Sequence, residues 1–260
     1  AKSNKFVLLF SHLALSFHKI GCASGKKIEQ ALFFPLGLHY LCTKNMKKLL
    51  ALIIICIAMP VAAQAQRLDV SLLTCFPGQE VFELYGHTAI RITDGATMDR
   101  VYNFGLFSFN QPHFVYRFVK GETDYAVGGY PTEYFTPEYA GRGSKVVEQR
   151  LRLTEQQALW LFNELERLCL PKNREYRYNY VLNNCATRPR DLIEQAVGGL
   201  SYPPSEHPDA TYRDIMTHYD RNYPWYQFGI DLALGQGIDR PISVRPQMFA
   251  PIILMKEMAG

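Results

Sequence analysis

The sequence contains no C-x-x-C pair, no internal repeat and no low-complexity tract. The first absence argues against a structural zinc site. The other two argue against solenoid and disordered readings. No stripe of basic residues is present, so nucleic acid is not an expected partner. After residue 65 no apolar run reaches the length of a membrane-spanning helix. Tryptophan is scarce, at 2 residues, whereas tyrosine and phenylalanine number 16 each.

The chain opens on Ala1, and its first methionine is Met46. The stretch that follows reads MKKLLALIIICIAMPVAAQAQ. Lys47 and Lys48 make a basic start, Leu49 to Met59 an apolar core, and Ala63-Gln64-Ala65 an A-x-A cleavage site. This is the pattern of a secretory signal peptide over 46–65. It predicts that Gln66 begins the mature chain and that residues 1–45 are a non-native upstream extension. The rival reading is a separate N-terminal domain in 1–45. The split changes the charge. The whole chain has 28 basic and 24 acidic residues, net +4; eight of the basic and one of the acidic lie in 1–65, which leaves 20 and 23, net −3, for 66–260. The basic excess therefore belongs to the leader. Residues 66–260 suit one globular domain in an exported compartment.

Six cysteines reduce to three beyond the leader: Cys75, Cys169 and Cys185. An odd count leaves at least one thiol unpaired. A Cys75–Cys169 bridge is compatible with the sequence, and Cys185 is then the one left over.

Alternating RLDVSLL predicts a strand, and YGHTAIRITDGATMDRVYNFG a hairpin turning at Asp94-Gly95. PHFVYRFVKG has helical spacing. TDYAVGGYP reads as a strand leading into a Gly/Pro-rich loop over 128–143, and SKVVEQRLRLT as a further strand. Thr154 with Gln157 forms a capping box ahead of a long amphipathic helix that Pro171 stops. REYRYNYVL alternates with Tyr176, Tyr178 and Tyr180 on one face. The stretch NNCATRPRDLIEQAVGG reads as a helix closed by Gly198-Gly199. ATYRDIMTHYD is helical, and the last apolar segment reads as a core helix. This mixture predicts an α+β fold.

Asn184 is a good N-cap, which would put Cys185 at the first helical position. Free backbone N–H groups and the helix dipole there favour thiolate over thiol. Pro189, lacking an N–H, implies an irregular start or regular helix only near Pro189. The plain alternative is that Cys185 is a small buried hydrophobe. A thiol nucleophile needs an imidazole partner. His207 and His218 read as surface residues and His113 as a helix cap. His87 opens a strand among small residues, Gly86, Thr88 and Ala89, which leave it room; its alternative is a satisfied, half-buried strand histidine. Asn103 on the returning strand is the candidate to fix its tautomer.

The motifs LYGHTAIRI, VYNFG, KGETDYAV, EYRYNYVLNNCATRPRD and PWYQFGIDLALG resemble the N-terminal periplasmic domain of the Lnb-type lipoprotein N-acyltransferases over most of residues 68–250. More distantly they are similar to permuted NlpC-type and lecithin:retinol acyltransferase-like proteins, which share a histidine before the cysteine. The resemblance implies a circularly permuted papain-like domain, with an antiparallel sheet carrying the histidine and a helix carrying the cysteine. It implies a thiol acyltransferase of lipoprotein maturation, working without cofactor or metal in the periplasm at the inner membrane. Cys185 would take a fatty acyl chain from phospholipid as a thioester. His87, oriented by Asn103, would act as base and assist transfer to the N-terminal amine of a lipoprotein. Backbone N–H groups at the helix start would hold the oxyanion. Arg188 and Arg190 are candidates to meet a lipid phosphate, against a plain reading as surface arginines. Tyr85 and Asn183 are further substrate-binding candidates. Family members carry membrane helices after this domain, so either such helices are expected beyond Gly260 or the chain is a stand-alone member. Two other functions compete: a cysteine amidase or peptidase on cell-wall peptide, and a non-catalytic module binding lipid or peptide.

Overall fold

Apolar residues on both faces of the central strands are the first determinant of this fold. The computed structural model describes residues 67–107 and 112–259. The expected leader at 46–65, the extension before it and Gln66 lie outside the described residues. Among the described residues six strands form one antiparallel sheet: β1 (Asp69–Cys75), β2 (His87–Thr93), β3 (Asp99–Leu106), β4 (Asp124–Pro131), β5 (Val146–Arg150) and β6 (Glu175–Arg177). Their order is β5-β1-β2-β3-β4-β6. The β2–β3 hairpin turns where expected, because Asp94 Oδ1 accepts from the N–H groups of Ala96, Thr97 and Met98.

Helices cover both faces. On one face lies α3 (Glu155–Cys169), started by the reciprocal Thr154–Gln157 capping box. Its Ala158, Leu161, Leu165 and Leu168 pack on Ile90, Ile92, Tyr102 and Phe104. Beside it runs α4 (Thr187–Val197), which ends at the left-handed Gly198. The opposite face is covered by α2 (Thr132–Gly141), whose Phe135 and Tyr139 pack on Leu73, Cys75, Ala89 and Val101. This α2 is a correction: 128–143 is the end of β4 followed by a helix, not a loop. Pro137 sits inside that helix, and the four-residue spacing of two buried aromatics outweighs the bond it removes. Because both faces are covered, β1 is buried from Val70 to Cys75 instead of on alternate residues.

Three more helices close one end of the sheet: α1 (Phe114–Val119), α5 (Tyr212–Asp220) and α6 (Pro224–Leu234). Phe118, Met216, Tyr226 and Ile230 share a cluster with Tyr85, Tyr180 and Phe249. The short α7 (Val244–Gln247) and α8 (Pro251–Glu257) follow; α8 is the expected core helix, with Leu254 fully buried. The tyrosine-rich stretch departs from expectation. Only Glu175–Arg177 is strand, and the chain then turns through an isolated bridge between Asn179 and Asn183. The cysteine bridge is also corrected. Cys75 lies among the α2-side residues and Cys169 packs against the α3-side cluster, with the sheet between them, and both are free thiols.

Leu165 is fully buried and Leu159 is 52% exposed on the same helix. Leu165→Ala is expected to cost about 2–5 kcal/mol, and Leu159→Ala within about 0.5 kcal/mol of nothing, as read by urea denaturation.

Candidate active site

His87 is the first residue of β2, placed there by Gly86. That glycine has φ +78°, and a Cβ on it would come within 2.4 Å of the Cys75 carbonyl oxygen, so no other residue fits. Across the β2–β3 ladder Ala89 pairs with Asn103, which sets Asn103 on the face of His87. The expected contact is present: His87 Nε2 lies 2.6 Å from Asn103 Oδ1. Asn103 Nδ2 in turn donates to the Tyr130 hydroxyl at 3.0 Å. With the amide held in that sense, Oδ1 accepts and Nε2 carries the proton. The lone pair of the imidazole is then on Nδ1.

Cys185 approaches from the other face of the sheet. The two side chains flank the same end of the sheet, where β3 bulges between Phe104 and Leu106. Gly105, with φ +104°, lies in that bulge. A Cβ built on it would sit 3.8 Å from Cys185 Cβ and 3.8 Å from His87 Cε1. The thiol-bearing carbon and the ring edge are therefore separated by no more than twice that distance, and the missing side chain leaves the gap between them open.

The start of α4 is irregular, as Pro189 implies, and Cys185 is not the first helical residue. Regular helix begins at Thr187, two residues after Cys185, with Ala186 in the N-cap position. Asn184 still caps it: Oδ1 accepts from the N–H groups of Ala186 and Thr187, both at 2.9 Å. The Asn184 Nδ2 group donates to the carbonyls of Tyr180 and Phe249. The N–H groups of Ala186 and Thr187 are thus taken. Those directed at the Cys185 sulfur come from Thr88 and from Cys185 itself.

Burial governs the electrostatics. It pushes the Cys185 thiol up to about 11, although those two N–H groups act in the opposite sense. Burial also pulls His87 down to about 4; the bond to Asn103 raises it, and the Arg142 guanidinium lowers it further. The expected stabilisation of thiolate by a helix start is overturned, because desolvation of the charged form exceeds it. At neutral pH the resting pair is a neutral thiol beside a neutral imidazole.

Cys185, His87 and Asn103 open on a cavity of about 590 Å³. Its walls are largely aromatic: Phe107 stacks on Tyr125 and Tyr125 on Tyr178, with centroids 4.8 and 4.0 Å apart. Tyr85 lines it too and donates to the buried Asp220 carboxylate at 2.5 Å. Burial raises that carboxyl to about 6, while the Tyr85 bond lowers it and the nearby Asp231 raises it. The other predicted binding residues are not in the cavity wall. Asn183 holds the turn, donating to the Arg177 carbonyl. Arg188 lies over the Tyr176 ring at 4.1 Å and donates to Asn183. Arg190 is buried, not a surface arginine, and is engaged by Asp191 and the Arg245 carbonyl. His207 and His218 are exposed, as expected, and His113 makes no side-chain cap bond.

Sequence reading misses Tyr130, Tyr139 and Gly105. Tyr130 shares the face of Asn103 by strand alternation, so its position is available from the pattern. Tyr139 stacks near the His87 ring at 6.2 Å, from a helix where the sequence suggests a loop. Among the described residues no group of three or more His, Cys, Asp or Glu side chains could hold a metal ion.

The candidate site thus gathers Cys185, His87 and Asn103 at the end of an antiparallel sheet, facing an apolar cavity. Residues 60–218 match the family model of the Lnb N-terminal periplasmic domain, and the chain belongs to that family. Neither the curated proteins nor the solved structures give a match.

Two outcomes are expected. Alkylation of Cys185 by iodoacetamide should rise about tenfold per pH unit and level off only near pH 11, with a profile little changed by His87→Ala. A midpoint below about 8.5 that moves with His87→Ala would mean an ion pair instead. Asn184→Ala strips two N–H groups and two carbonyls of their partners, so it should cost about 2–4 kcal/mol of unfolding free energy.

Proposed function

We infer that this chain is an exported thiol acyltransferase, with a permuted papain-like arrangement of its sheet histidine and helix cysteine. It moves a fatty acyl chain from phospholipid to the N-terminal amine of a lipoprotein. The observation that carries this reading is the placing of Cys185 and the His87–Asn103 pair on either side of Gly105, at the wall of an aromatic cavity. Membership of a periplasmic Lnb domain family supports it.

In the first step Cys185 Sγ attacks the ester carbonyl of the lipid. His87 Nδ1 takes the thiol proton as the S–C bond forms. The N–H groups of Thr88 and Cys185 are the donors within reach of the oxyanion. Collapse breaks the ester C–O bond, and His87 returns the proton to the departing lysophospholipid hydroxyl. In the second step the amine attacks the thioester carbonyl. His87 accepts the amine proton and delivers it to the leaving sulfur. Asn103 keeps Nε2 protonated throughout, so that Nδ1 is always the nitrogen that exchanges the proton. The neutral resting pair fits this scheme: the proton transfer occurs with attack and does not precede it.

A second reading has one observation in its favour. A thiol raised to about 11 beside a histidine lowered to about 4 is also what an inert lipid-binding module would have. The two separate on incubation with phospholipid vesicles. The acyltransferase should gain an acyl chain on Cys185, detected by intact mass and released by hydroxylamine. Cys185→Ala should gain none, and His87→Ala should acylate about 10²–10⁴-fold more slowly. Thioester that turns over to free fatty acid, with no amide formed on an added lipopeptide amine, would assign a hydrolase. No adduct under any condition would leave the binding module.

A further inference from the structure

The helix α6 (Pro224–Leu234) is apolar on both sides. Tyr226 and Ile230, four residues apart, face inward to the cluster with Tyr85 and Phe118. Trp225, Phe228 and Leu232, also at helical spacing, face away from the body and are 86%, 62% and 74% exposed. A surface helix normally carries its polar face outward. Here the polar side chains lie on one flank, Gln227 bonded to Thr217 and Asp231 paired with Arg213. No charge stands in the outward stripe.

The short α1 (Phe114–Val119) repeats the pattern. Phe118 packs into the same inner cluster, while Val115 and Tyr116 are exposed. Both helices border the cavity, α1 through Val115 and Phe118 and α6 through Tyr226. Phe82, 55% exposed, stands on the same cavity wall. The two helices that carry the apolar exterior thus also contribute to the wall of the cavity that holds Cys185.

We propose that the outer faces of α1 and α6 dock on a lipid bilayer, with Trp225, Phe228 and Leu232 entering the boundary between headgroups and acyl chains. Three features select lipid over a protein partner. Tryptophan and tyrosine with aliphatic residues, flanked on α1 by Lys120 over the Tyr116 ring, are the composition of an interfacial anchor. Both helices also border the cavity, so a surface anchored through them would hold the cavity beside the lipid. Residues 66–260 carry a net charge of −3, so attraction must come from apolar burial and not from anionic headgroups. The direction of the dock, cavity toward membrane, rests on the acyltransferase reading; the dock itself does not need an active Cys185.

The test uses the mature chain, residues 66–260, in a Cys185→Ala background, so that its result is independent of catalysis and of the apolar leader. Trp160→Phe leaves Trp225 as the reporter. With zwitterionic phosphatidylcholine vesicles, Trp225 emission should shift to the blue and be quenched by lipid brominated on its acyl chains, with little dependence on salt. Trp225→Ser, Phe228→Ser and Leu232→Ser together should weaken partitioning about tenfold or more, at unchanged circular dichroism. Unquenched Trp225 emission, or a triple variant that binds like the parent, would overturn the proposal. So would a triple variant whose change is in self-association on light scattering, which would assign the face to a second copy.

Discussion

The amide of Asn184 is the joint on which the site depends. Its oxygen closes the first turn of the helix after Cys185, and its nitrogen ties that turn to the Tyr180 carbonyl and to Phe249 near the C-terminus. The local segment from Tyr180 to Thr187 and the distant Phe249 are thereby held to one buried group. An asparagine is the side chain that can do this, since it offers two acceptor and two donor positions in one plane. Aspartate would supply the acceptors and fail the two carbonyls. Serine would supply a cap and nothing for the far side. Cys185 follows directly on this joint, so its position is set by the fold as a whole and not by the helix it precedes.

Competition between the helix start and burial decides the state of that cysteine. The dipole at a helix N-terminus is worth about 0.3–1 kcal/mol, under one pKa unit at about 1.4 kcal/mol each. Two of the nearby N–H groups are already engaged by Asn184, which reduces the effect further. Removing a thiolate from water costs more than the dipole returns, and the thiol rises to about 11. The same cavity lowers His87, so both partners are shifted toward neutrality by one cause. Asn103 then matters for tautomer rather than for charge. It fixes which ring nitrogen is free, and Tyr130 fixes which way Asn103 points.

Much of this is legible in the chain. The hairpin of β2 and β3, the capping box of α3 and the pairing of His87 with Asn103 follow from strand alternation and turn chemistry, which are local. What is not legible is tertiary. The helix over Thr132–Gly141 contains a proline and follows two glycines, and it forms because Phe135 and Tyr139 have the sheet to cover. Arg190 reads as a surface cation, and its burial depends on Asp191 and on Arg245, which is distant in sequence. Of the two starts that the sequence leaves open, at Cys185 or nearer Pro189, the later one holds, because a sequence shows that Asn184 can cap but not how many N–H groups it takes. The raised thiol is hidden for a related reason: a helix terminus is visible in sequence, and the aromatic wall that desolvates it is assembled from β3, β4, α1 and the turn after β6.

On the proposed acyltransferase reading, that wall would bear on both halves of the transfer. Desolvation penalises a thiolate, which makes the first attack harder unless the proton leaves to His87 in the same event. An amine entering the same cavity meets the opposite effect, since loss of water disfavours the ammonium and frees the lone pair. An α-amino group has an ordinary pKa near 7.7–8.0, so a modest downward shift leaves it mostly unprotonated at neutral pH. The apolar walls that keep Cys185 in its thiol form would therefore prepare the acceptor to remove the acyl chain from it. In that reading, a neutral site acts on two neutral nucleophiles in turn, with one imidazole carrying the proton for each.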